Sequence, residues 1–236
     1  MGVILAGDTH ATLDLNKVVR YFDEQIATGR EFSEEDYLII LGDVGICGFS
    51  KESETTTRRI LRRLPVTVLF IDGNHENFEE LYSYPVEEWH GGKVHVIEDH
   101  MLHLMRGQIF DIDGKRFFTF GGAYSIDRLW RSPGIDWFEE EMPSDEEYKE
   151  GLANLEKADW EVDYVLSHTG PEEAIDQMGY APNGLGEDEM VLRRYFQQIA
   201  EKLNFKAWYF GHFHEDIDVD DMFFCLFETM VELEDK

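Results

Sequence analysis

The sequence predicts an α/β fold built from two β-sheets with helices outside them. Short apolar runs of strand length alternate with helically spaced segments from the start, the pattern of βαβ units. The middle of the chain changes to closely spaced strands joined by turn residues, and its last third returns to helices and strands. A length of 236 residues fits one α/β domain covering residues 1–236, and 43% hydrophobic residues suffice to fill its core.

Val3 to Ala6 is a short apolar strand ending in Gly7-Asp8. Leu13 to Ala27 carries apolar residues at helical spacing (Leu15, Val18, Val19, Phe22, Ile26), with Thr12 as the expected N-cap. Tyr37 to Leu41 is a second buried strand, followed by Gly42-Asp43. Glu52 to Leu64 reads as a basic amphipathic helix, stopped by Pro65. Its arginines (Arg58, Arg59, Arg62, Arg63) form a solvated face or, on the alternative reading, a contact for an acidic partner. Val66 to Ile71 is a third strand running into Asp72-Gly73-Asn74-His75.

Val94 to Glu98, His100 to Met105, Gln108 to Ile112 and Arg116 to Phe120 are short strands. The last two are joined by Asp113-Gly114, a hairpin dipeptide. A polar stretch rich in Trp and Glu, Asp127 to Glu150, leads into a helix reaching Lys157, and its acidic run from Glu139 reads as a solvated helix start. Val162 to Leu166 is a strand ending in Ser167-His168. A helix over Asp188 to Lys202 precedes strand Ala207 to Phe210, which ends in Gly211-His212-Phe213-His214. Met222 to Leu233 reads as one closing strand.

Composition narrows the function classes. With 21 basic against 50 acidic residues, the formal charge is -29. A surface that acidic repels a polyanion, which argues against long duplex nucleic acid as the main partner. A small phosphorylated substrate or nucleotide drawn to bound metal ions stays open. No apolar run approaches a membrane span, and the start reads into a strand without a basic leader, so the expected location is cytoplasmic. Cys47 and Cys225 lie far apart in no metal-ligand spacing and read as free thiols.

The chemistry is carried by the residues at the strand ends. Asp8-Thr9-His10, Asp43, Asn74-His75-Glu76, His168 and His212-Phe213-His214 each stand just after a predicted strand. Ligands gather at the carboxyl ends of strands in open α/β sheets, so these segments converge. Carboxylate, amide oxygen and imidazole donors without thiolates suit divalent Mn, Fe, Zn, Ni or Co. Of the nine histidines, His90, His95, His100 and His103 fall outside these motifs and read as surface or sheet residues.

Asp-x-His, Gly-Asp, Gly-Asn-His-Glu, His and Gly-His-x-His, in this order from Asp8 to His214, resemble the calcineurin-like metallophosphoesterase superfamily. The resemblance implies a four-layer α/β/β/α sandwich with two mixed β-sheets. It implies two divalent ions, Mn first among them, and hydrolysis of a phosphomonoester or phosphodiester by metal-bound hydroxide. Position by position, Asp8, His10 and His214 would hold one ion, Asn74, His168 and His212 the other, and Asp43 would bridge. His75 would be the general acid and Glu76 would orient and charge it, although the family more often has Asp there. Ile46 and Cys47 stand where many members, the Ser/Thr protein phosphatases included, have Asp and Arg, so the Arg that would grip phosphate is missing.

The Gly-rich run from Phe120 to Arg128 is either a tight turn between sheets or a substrate loop. On the second reading Tyr124 contributes, and Arg128 or Arg131 replaces the missing Arg. The alternative activities are a nuclease or cyclic-nucleotide phosphodiesterase. An inactive protein-binding scaffold would have lost ligands or the acid, and none is missing here.

Overall fold

The computed structural model describes residues 2–48, 50–180 and 187–233. In β1 (Val3–Ala6), Val3 and Leu5 enter one apolar cluster while Ile4 and Ala6 enter another. Successive side chains of a strand point to opposite faces, so a strand apolar at every position has to be covered on both. β2 (Tyr37–Leu41) and β3 (Thr67–Ile71) divide in the same way and lie parallel to β1 in the order β1-β2-β3. α1 (Asn16–Ala27) and α2 (Lys51–Leu61) are the crossovers. After α3 (Phe78–Leu81) come β4 (Val86–Trp89), β5 (Gly92–Glu98), β6 (Met101–Leu104), β7 (Gln108–Ile112) and β8 (Lys115–Phe120). The β7–β8 turn has φ values of 54 and 69° at Asp113 and Gly114, positive at both central residues as its dipeptide predicts. The chain continues through α4 (Asp145–Lys157), β9 (Tyr164–Ser167), α5 (Glu172–Gln177), α6 (Glu187–Lys202), β10 (Ala207–Phe210), β11 (Ile217–Asp218), β12 (Phe223–Cys225) and β13 (Met230–Leu233).

Among the described residues two mixed sheets form, ordered β13-β1-β2-β3-β6-β5-β4 and β11-β12-β10-β9-β8-β7. Their facing sides share one core, in which Leu5, Ile39 and Leu69 of the first sheet meet Phe117, Leu166 and Tyr209 of the second. The outer face of the first sheet packs on Val18 and Phe22 of α1 and Leu61 of α2. That of the second packs on Leu155 of α4 and Leu192, Phe196 and Ile199 of α6. The layers therefore run α/β/β/α. Cys47 and Cys225 are buried free thiols.

Several expectations need correction. α1 starts at Asn16 without a side-chain cap, and Thr12 is not its N-cap. Residues 10–15 fold instead into turns, with Leu13 N–H donating to His10 O and Asp14 N–H to Thr9 O, as part of the ligand loop. Ser50 caps α2, and its basic face is only partly solvated. Arg58 pairs with Glu54 at 3.1 Å and Glu80 at 3.2 Å and donates to the Tyr84 hydroxyl. Glu141 is buried rather than part of a solvated helix start, and α4 begins only at Asp145, behind a Ser144–Glu147 capping box.

The closing strand is two strands, one in each sheet. β12 lies parallel to β10, whereas β13 lies antiparallel to β1. The Asp216 carboxylate accepts from the N–H groups of Phe227 and Thr229, which fixes the crossing between them. β4, α3 and α5 have no counterpart in the sequence reading: β4 is a mostly exposed edge strand, and the two helices are too short to show a period.

Candidate metal and active site

The five ligand-bearing segments follow β1, β2, β3, β9 and β10, and hydrogen bonds knit them together. His10 N–H donates to Asp43 O at 2.7 Å. His75 N–H donates to Asp43 Oδ1 at 2.7 Å, and His212 N–H to Asp8 Oδ1 at 3.0 Å. Close packing of these loops explains the glycines before the ligands. A Cβ on Gly42, where φ is +96°, would lie 2.2 Å from His168 Nδ1, and one on Gly73 would lie 2.1 Å from Asp43 Oδ1. His10, Asp43, His212 and His214 have φ of 41, 50, 71 and 53°. Left-handed backbone at a non-glycine residue costs of order 1–3 kcal/mol and concentrates at functional sites.

Ligand atoms of Asp8, His10 and His214 lie within 4.8 Å of one another, and so do those of Asp8, Asp43 and His168. Asp43 Oδ2 is 3.6 Å from His10 Nε2 and 3.5 Å from His168 Nε2, between one member of each expected set. Asn74 Oδ1 lies 3.1 Å from His168 Nε2, and the His212 ring centroid is 5.1 Å from that of His168. All seven expected ligands are thus in one cluster. Asp8 Oδ2 is buried without a well-formed hydrogen bond, its nearest polar neighbour being His214 Nε2 at 3.3 Å, and a cation would satisfy such an oxygen. The donor set fits a pair of divalent ions.

Outer contacts orient the ligands. His168 Nδ1 is 2.7 Å from Leu41 O and His10 Nδ1 is 2.8 Å from Asp14 Oδ2, which turns both Nε2 atoms inward. Asn74 Nδ2 donates to Ser125 Oγ at 3.0 Å, leaving Oδ1 as the inward atom. Ser125 N–H in turn donates to Glu141 Oε1. Asp14, Ser125 and Glu141 were missed by the sequence reading. Only the spacing of Asp14, one helical turn after His10, carried a signal.

The buried carboxylates and imidazoles shift one another's protonation. Burial opposes charge on His168, but Asp43 and Asp8 beside it push it up to about 10. Burial likewise opposes charge on His10, and its contacts with Asp43 raise it to about 9. His212 is driven the other way, to about 3, by burial and by His168. Burial lowers His75 too; Asp43 opposes this and Arg131 adds to it.

The expected Glu76–His75 contact is absent among the described residues. Glu76 Oε1 accepts from Val44 N–H at 2.9 Å, and burial followed by repulsion from Asp43 raises its carboxyl to about 8. Arg131 does reach His75, with Nη1 2.8 Å from Nδ1. Arg128 does not: it stacks on the Tyr124 ring at 4.1 Å and faces Asp188. Tyr124 lines a cavity of about 620 Å³ beside the cluster, together with Glu189 and Arg193 of α6. Those two helical residues gave no sequence signal, since an acid and a base at i, i+4 are common on exposed helices. His95 and His103 are buried in the first sheet, and His103 Nε2 bonds Asp72 Oδ1 at 3.0 Å.

Residues 1–216 match the family described as calcineurin-like phosphoesterase, and the chain belongs to it. No curated protein matches the chain. A crystal structure of a Staphylococcus aureus protein classed provisionally as a 5'-nucleotidase, in complex with alpha-ketoglutarate, is similar at TM-score 0.54 and 13% identity. The match covers 100% of this chain and 51% of that one, so the chain spans about half its length. At that identity the likeness shows the fold. A second solved structure, at TM-score 0.46 and 12% identity over 96% of this chain and 90% of that one, carries no argument. Among the described residues no helix is long and apolar enough to cross a membrane.

Proposed function

We propose that this member of the calcineurin-like phosphoesterase family is a two-metal hydrolase acting on a small phosphate ester, with residues 1–236 as one catalytic domain. The observation that carries the reading is the convergence of ligand atoms of Asp8, His10, His214, Asp43 and His168, with Asn74 and His212 beside His168. Asp8, His10 and His214 would hold one ion and Asn74, His168 and His212 the other, with Asp43 between them. Mn is the first choice, with Fe, Zn, Ni or Co fitting the same donors. Bound ions of this kind supply an activated water and neutralise the phosphoryl oxygens.

The chain's own residues do the rest. His75 sits beside the shared carboxylate through its N–H to Asp43 and acts as the proton donor to the leaving oxygen. Arg131 holds His75 Nδ1 in the free protein. A phosphate is a stronger acceptor for a guanidinium than a neutral imidazole is, so an arriving substrate draws Arg131 away and frees Nδ1 to take up a proton from solvent, and the resulting imidazolium is the form that donates. Arg131 thereby takes the place of the missing phosphate-gripping Arg, and Arg128 braces Tyr124. Glu76 serves as the acceptor that fixes Val44 N–H, next to Asp43.

The test is reconstitution. Metal-stripped protein is given Mn, Ni, Co, Zn or Mg in turn and assayed on p-nitrophenyl phosphate esters, with bound metal measured in parallel. Turnover that needs one of these ions is expected, and Asp43→Asn is expected to bind fewer than two ions. Two ions at full occupancy in Asp43→Asn would contradict its shared position. Wild-type protein that binds two ions yet turns over no ester would sink the hydrolase reading.

A further inference from the structure

Two clefts open from the candidate site. The larger, about 620 Å³, runs from Asn74 and His212 past Tyr124 to Tyr180, Phe213 and Arg193. The smaller, about 340 Å³, runs from His10 past Ala11, Leu13 and Gly45 to Ser50 and Ser53 at the start of α2. Asp43 and His75 line both. The clefts therefore diverge from the carboxylate assigned to both ions and from the proton donor, which is where the reacting phosphorus belongs.

In an in-line displacement the attacking and leaving oxygens lie on one axis, and an ester arm that stays on phosphorus projects to the side. A monoester has only the leaving arm and fills one cleft. We propose that the substrate is a phosphodiester with unlike arms, an aromatic, nucleoside-like arm in the larger cleft and a smaller uncharged arm in the smaller one. The inference rests on the phosphoesterase reading and narrows its substrate class.

The linings set the kind of each arm. In the larger cleft the rings of Tyr180 and Phe213 stand 4.7 Å apart, an aromatic surface on which a base or other flat ring stacks, and Tyr124 lines the same cleft. Glu189 accepts from Tyr124 N–H and from Arg193 Nε, which ties the 121–125 loop to α6. Arg193 is 2% exposed and spends Nε on Glu189 and Nη1 on Tyr180 O; no other hydrogen bond among the described residues uses Nη2. The Arg193 guanidinium thus brings a donor group to the lining of this cleft. The smaller cleft has Ala11, Leu13, Gly45 and Gly48 with two serine hydroxyls, and no lysine or arginine among its described lining residues. A second anionic group there would be desolvated without a counter-charge, so the arm it takes is neutral.

The test compares bis-p-nitrophenyl phosphate, p-nitrophenyl phosphate and the p-nitrophenyl ester of thymidine 5'-monophosphate on metal-reconstituted protein. The diesters are expected to exceed the monoester in kcat/KM by about tenfold or more, and the nucleoside diester to be the best of the three. Ser53→Phe, which fills the smaller cleft, should lower the diester-to-monoester ratio about tenfold. Metal content and melting temperature check that it is folded, and Leu13→Trp on the exposed rim serves if it is not. A wild-type ratio of one or less, or equal losses on both substrate types in these variants, would overturn the diester assignment while leaving the phosphoesterase reading standing. No turnover of any of the three esters with any ion would remove both.

Discussion

Arg106→Met tests how the site loop is held in place. Arg106 and Asp72 side chains are 2% and 1% exposed, and Nε and Nη2 of the guanidinium lie 2.9 and 2.5 Å from Asp72 Oδ2. Nη2 also donates to Glu140 O at 2.8 Å, so one side chain joins the loop that carries Asn74 and His75 to the segment that carries Glu141. Removing one partner of a buried pair leaves an uncompensated charge and costs about 3–5 kcal/mol. His103 still donates to Asp72 Oδ1, which favours the lower end, about 3 kcal/mol. For a chain of this size that corresponds to a fall in Tm of about 6–12 °C.

The assay is thermal and urea unfolding of metal-free protein across pH. Burial alone would raise the Asp72 carboxyl, but Arg106 and His103 hold it well below its ordinary 3.8. A depressed carboxylate contributes stability above its ordinary value and loses it as pH falls through the folded value. The deficit of Arg106→Met should therefore be largest near neutrality and shrink in acid, where the stranded carboxylate protonates. Asp72→Asn in the Arg106→Met background should recover part of it. A deficit below about 1 kcal/mol, the size of an exposed ion pair, would refute the clamp.

His75→Ala should keep both ions and lose about 10²–10⁴ in turnover, the range for lost acid catalysis; metal analysis beside kinetics checks this, and unchanged turnover would remove His75 from the role. Metal binding should release protons, because the neighbouring carboxylates push His168 and His10 up to about 10 and about 9, and both must be deprotonated to coordinate. Their raised values put the protonated form below pH 9, so apparent affinity should climb from pH 7 and level off above about 10. Calorimetry at pH 8 in buffers of different ionisation heat should count about one to two protons released, and a count of zero would be fatal to the charge assignment.

The legible parts of this protein were those governed by local rules. The apolar runs Val3 to Ala6, Tyr37 to Leu41 and Ala207 to Phe210 are strands at those positions, because side-chain alternation makes a doubly covered strand uniformly apolar. The Gly-ligand dipeptides marked the site because a side chain at Gly42 or Gly73 would occupy space taken by His168 or Asp43. Asp113-Gly114 turned where its backbone preferences require.

Only the tertiary structure decided what meets what. Nothing near Glu76 in sequence says that its carboxylate reaches Val44 N–H rather than His75. Nor does α6 announce that Glu189 and Arg193 close a cavity with Tyr124. The tail reads as one apolar strand until Asp216 bends it between sheets. Asp72 and Arg106 are 34 residues apart and pair because β6 lies beside β3. Periodicity reports which face of an element is buried, whereas the identity of the buried neighbour depends on strand order, which a local pattern does not encode.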